Sequence, residues 1–104
     1  MKFSRGEVWS INGVAYLATV LLVEHHEALG KIVHIGFLDP NVRLPRHMPF
    51  SKDAFERSVV RLMGFTGLGD TTSEGIEYWR GEVETHGAGV YGISVQDALT
   101  LTLK

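Results

Sequence analysis

The sequence predicts an α+β fold, a partly open antiparallel β-meander with helices packed on it, and three observations carry that expectation. Runs rich in β-branched and aromatic residues fill 7–11, 14–23 and 31–39, a capped helical pattern follows from Ser51, and a second helical pattern begins at Ser73. At 104 residues the chain is expected to form one domain, 1–104, large enough to bury a real core.

In the first run Val8, Trp9 and Ile11 precede Asn12-Gly13, the dipeptide that best tolerates the positive φ angles of a tight hairpin turn. The second run is apolar on both faces, which suits a central strand covered on both sides. After the polar break at 25–30 the third run alternates, with Val33, Ile35 and Phe37 on one face and Ile32, His34 and Leu38 on the other. Asp39-Pro40-Asn41 ends it, and residues 40–49 hold all three prolines, so a stiff, extended connection across an edge of the sheet is expected.

Ser51 is placed to cap a helix, Asp53 stands in its first turn, and Phe50 and Phe55 occupy the two positions of a hydrophobic staple. Phe55, Val59, Leu62 and Met63 continue the helical spacing to Gly64, which predicts a helix of about 12 residues. Residues 64–73, with three glycines and no period, read as a loop, and GFTGLG lacks the spacing and the lysine of a phosphate-binding loop. Beyond it Ile76, Trp79 and Val83 share one helical face, although Gly75 and Gly81 weaken the pattern. Val90–Ile93 reads as a short fourth strand. The C-terminal segment carries two signals: Ser94-x-x-Asp97 argues for a helix and the alternation of 99–103 for a strand, and the cap tips the expectation to helix.

Composition excludes several functions. With no cysteine there are no disulfides, thiolate metal sites or cysteine nucleophiles. No apolar run approaches the roughly 20 residues of a spanning helix, so a cytoplasmic protein without membrane contact is expected. A net charge of −2 supplies no global basic field, so nucleic acid is not an expected partner. Charge is uneven: 70–84 carries Asp70, Glu74, Glu77, Glu82 and Glu84 against Arg80, while 43–47 carries Arg43, Arg46 and His47.

No histidine pair has the i, i+4 spacing of a helical zinc site, His25 and His26 point to opposite faces of a strand, and no metal or cofactor is expected. His34, in mid-strand among apolar residues, is read as a histidine on a half-buried face, hydrogen-bonded to a neighbour. No G-x-S-x-G elbow or comparable nucleophile frame occurs, and Glu82 and Glu84 sit in a charged helix where ordinary carboxylate chemistry holds, so no enzyme is expected.

Gly6-x-x-Trp9, Tyr16-x-Ala18-x-Val20 and Val33-x-Ile35-x-Phe37-x-Asp39 resemble the opening of Tudor-type and related SH3-like barrels over about a third of the chain. That resemblance implies an SH3-like meander and, in the Tudor sense, an aromatic cage whose matching positions are Trp9, Tyr16 and Phe37. The family usually adds an aromatic after the third strand, where this chain has Pro40. HMPFSKDAFERSV at 47–59 and GIEYWRGEVETHGAGVYGISVQDAL at 75–99 resemble a group of small uncharacterised bacterial proteins, which implies no activity. RGEVWSI looks like the first strand of the MazF/PemK ribonuclease toxins and of some polymorphic-toxin immunity proteins. The R-P-x-V-V pattern of those toxins is absent, so none of their catalytic residues is carried over.

The resulting expectation is a non-enzymatic bacterial protein-binding or adaptor domain, of the immunity type. A Tudor-like ligand-reading barrel is the second expectation and a ribonuclease-toxin-like barrel the third. A protein partner is expected at Glu74, Glu77, Tyr78 and Glu84, on the acidic helix beside the glycine-rich loop.

Overall fold

Alternating and fully apolar strands next to capped helical segments build an antiparallel sheet with helices packed on it, and the computed structural model has that arrangement. It describes residues 1–38, 44–67 and 73–102, with the side chains of Ser73 and Glu74 outside that set. The expected turn at 39–41, Arg43 and residues 68–72 of the glycine-rich loop, Asp70 among them, lie outside the described residues.

Five strands form one open antiparallel sheet: β1 Glu7–Ile11, β2 Ala18–His26, β3 Gly30–Phe37, β4 Met48–Ser51 and β5 Val59–Phe65. Their order is β4-β3-β2-β1-β5, so the apolar second run is the middle strand and the two edges do not meet to close a barrel. Three helices complete the α+β fold: α1 Lys52–Ser58, α2 Ser73–His86 and α3 Val95–Thr102.

Four expectations are corrected. The helix begun at Ser51 ends at Ser58, after seven residues instead of about 12, and Val59 is already extended at φ −75°, ψ 144°. Val59 and Val60 are β-branched and poor helix formers, and strand β1 offers them an unpaired edge, so the chain turns into β5. Leu62 and Met63 therefore stand exposed instead of lining a helix face. The proline-rich connection does not merely cross the edge: Met48–Ser51 becomes edge strand β4, where Pro49 opposite His34 costs the sheet no inner hydrogen bond. Val90–Ile93 makes no strand, only a single bridge from Tyr91 to Phe50. Strand β2 starts at Ala18, leaving Val14 and Tyr16 in the connection after the Gly13 turn (φ 72°).

The capping chemistry holds. The Ser51 side chain accepts from the Ala54 amide at 3.2 Å, and the staple partners Phe50 and Phe55 are both fully buried. Ser94 Oγ accepts from the Asp97 amide at 3.1 Å, and the C-terminal segment is helical, with Leu101 left exposed.

On one face of the sheet Val33, Ile35, Val20, Ala18, Trp9 and Ile11 join Phe50 and Phe55, and Val95, Ala98 and Leu99 of α3 close the core. Ile32 and His34 are buried on the opposite face of β3, where Trp79 of α2 meets His34.

Candidate functional site

That second face carries the one buried polar cluster of note among the described residues. Ile32 pairs with Glu24 across β2 and β3, and cross-strand neighbours share a face, so Glu24 and His34 come to lie side by side. His34 has no solvent exposure. Its Nε2 is 3.2 Å from Glu24 Oε1 and its Nδ1 is 2.7 Å from Nε2 of His47, which enters from the residue before β4. The two imidazoles stack at 4.9 Å, and the Trp79 indole meets His34 edge-on, also at 4.9 Å. Arg80 donates to the second oxygen of Glu24 and, at 2.7 Å, to Glu77.

The proton placement follows from the acceptors. A Glu24 carboxylate only accepts, so His34 carries its proton on Nε2 and offers Nδ1 as an acceptor; His47 then donates from its own Nε2. Burial holds both imidazoles neutral: it lowers the His34 pKa against the pull of Glu24, and burial together with neighbouring His34 lowers that of His47 to about 4. Burial pushes the Glu24 carboxyl up, but hydrogen bonds from Arg80 and His34 outweigh it and hold the carboxyl below its ordinary value.

A Cβ at Gly75 would lie 2.9 Å from the Cβ of His47, so the first turn of α2 seats directly on this histidine. The glycine that weakens the helical pattern is the one that permits the contact. The Trp79 indole N–H reaches the Gly89 carbonyl at 3.0 Å and ties the middle of the helix to the loop that follows it. At 2.7 Å, moreover, the histidine nitrogens are a hydrogen bond apart, closer than the about 3.3 Å of two ligands on one tetrahedral zinc ion. Among the described residues no group of three or more histidines or carboxylates is arranged to hold a metal ion.

A cleft of about 200 Å³ opens beside the cluster between β2 and α2, lined by His26, Trp79, Arg80, Val83 and Glu84. His26 is occupied structurally, accepting the Ala28 and Leu29 amides at 3.1 and 3.2 Å to cap the turn after β2. A second, more open cleft of about 430 Å³, which shares Glu24 and His25 with the first, is lined by Phe3 and Val23 together with Lys2, Lys31 and Lys52.

The sequence-derived residues fall in two places. Trp9 is buried, with its indole N–H on Glu7 at 3.2 Å and its ring edge-on to Phe3 at 5.6 Å. Tyr16 and Phe37 are half-buried against the same core. On α2, Tyr78 is 74% exposed and Glu77 and Glu84 also face solvent, while the Glu74 side chain lies outside the described residues. Glu77 is paired with Arg80, and Glu82 with His86 at 2.8 Å.

Sequence reasoning singled out His34 but missed Glu24, His47, Gly75 and Arg80 as its partners. The hairpin register that sets Glu24 beside His34 was in principle readable from the turn at 27–29. The approach of His47 and α2 depends on long connections and left no local signal.

No family model, no curated protein and no solved structure matches this chain. No helix among the described residues is long and apolar enough to cross a membrane.

Proposed function

We propose that this chain is a non-enzymatic protein-binding domain, of the masking type seen in immunity proteins, which takes a basic protein surface on the outer side of α2. The observation that carries the reading is Tyr78, 74% exposed on a helix whose opposite side is seated on the sheet through Trp79, Arg80 and Gly75. An exposed tyrosine on a rigid element supplies a large contact area at little entropic cost, which is what interface anchors need. Around it α2 carries four glutamates against one arginine, a balance that speeds encounter with a cationic partner and repels nucleic acid.

The test is capture from the host lysate by the wild-type chain and by a Tyr78→Ala/Glu84→Lys variant. Both substitutions fall on exposed positions, so the thermal midpoint should stay nearly constant. A partner that the wild type holds and the variant loses, with binding weakened by added salt, is the expected result. A partner retained undiminished by the variant rules this face out.

A further inference from the structure

The cleft of about 430 Å³ reaches the apolar core where its row of side chains runs out. On β3 Phe37, Ile35 and Val33 face the core, and two residues on the same face ends in exposed Lys31, opposite His25 of β2. Val23, paired with Val33, and Phe3, packed on Trp9 and Phe55, line the cleft beside Lys2, Lys31 and Lys52. The charges here do not cancel. Among the described residues none of the three lysines makes an ion pair, and Lys52 lies within electrostatic reach of Glu56 without bridging to it. The one carboxylate among the described residues lining the cleft is Glu24, and His34 and Arg80 already engage its two oxygens. The chain as a whole has a net charge of −2, so this excess of amines is local.

We propose that this cleft binds an aliphatic monocarboxylate, with its chain on Phe3 and Val23 and its carboxylate among the amines of Lys2, Lys31 and Lys52. The volume falls within the roughly 300 to 1,000 Å³ of small-molecule sites, which join an apolar lining to a few convergent polar groups. Lysine suits both parts of such a ligand, because its methylene stem lies along apolar surface while its ammonium stays at the mouth as a point charge. No arginine fork lines the cleft among the described residues, and no run of backbone amides of the kind that cradles phosphate, which favours a carboxylate head. An uncharged chain would leave the amines without a counter-charge, and a bare anion would leave the apolar lining in water. No residue of α2 lines the cleft, so this proposal and the partner face stand or fall independently.

The test is a titration of the whole chain, followed by its amide NMR signals, with octanoate, with octanol of the same chain length and with acetate of the same charge. Octanoate should give saturable shifts at Phe3, Val23, Lys31 and Lys52, with a Kd of about 1 mM or tighter, and added salt should weaken it. Octanol and acetate should each bind at least tenfold more weakly. Lys31 is exposed and Lys52 half-buried, so Lys31→Gln/Lys52→Gln should keep the fold, which unchanged amide signals away from the cleft confirm. That variant should lose at least tenfold in octanoate affinity while its response to octanol stays the same. Absence of saturable octanoate shifts at the cleft, octanol or acetate binding as tightly as octanoate, or full octanoate affinity in the double variant each overturns the proposal.

Discussion

At the scale of single residues, burial and hydrogen bonding separate the positions that hold the fold from those free to act. Phe55 is fully buried, 4.9 Å from the ring of Phe3 and 6.5 Å from that of Phe50, so Phe55→Ala should cost about 3 to 5 kcal/mol in equilibrium denaturation. A loss below about 1 kcal/mol would contradict its place in the core. Thr19 is buried with no hydrogen-bond partner for its hydroxyl among the described residues, so Thr19→Val should stabilise by about 1 kcal/mol where such a swap usually destabilises. The neutral histidines set a pH dependence of definite sign. The pKa of His47 is lowered from 6.5 to about 4 in the folded chain, so between those values the unfolded chain binds more protons. Its contribution to stability is fully present above about pH 6.5 and is lost as pH falls toward 4. His34 and Glu24, both lowered as well, act in the same direction. The thermal midpoint should therefore fall between pH 7 and pH 4.5, and less steeply in His47→Gln; equal slopes would contradict the buried neutral pair.

At the scale of elements, the junction between α1, β5 and α3 turns on Ser58. Its hydroxyl donates to the Ala54 carbonyl at 2.9 Å and accepts from the Val95 amide at 3.1 Å, so it closes the end of one helix and the start of another while fully buried. Ser58→Ala leaves the Val95 N–H unpaired and should cost about 1 to 3 kcal/mol, measured by chemical denaturation, with α3 amides losing hydrogen-exchange protection first. The elements with local chemistry were legible: the meander, with its central second strand, follows from apolar patterning, and the starts of α1 and α3 from Ser51 and Ser94. The end of α1 was not, because Val59, Leu62 and Met63 fit a helical period as well as a strand. What decides between them is the vacant edge of β1, which no window of sequence contains. Gly75 shows the same gap from the other side, since its cost to a helix is local and its purpose, contact with His47, is tertiary.

At the scale of the whole molecule, the sheet separates two tasks. One face packs α1 and α3 into an apolar core, and the other holds a polar cluster on which α2 is seated with its glutamates and Tyr78 outward. The His34 cluster was only partly legible for that reason: each member is ordinary in its own segment, and the site exists only where β2, β3, the approach to β4 and α2 converge. The central functional claim is that a protein partner is taken on the exposed side of α2, and oxidative footprinting of Tyr78 in the free and partner-bound chain tests it most directly. Free Tyr78 should label readily and the bound residue several-fold less, while half-buried Tyr16 and Tyr91 change little. Equal labelling of Tyr78 in the two states would contradict the claim.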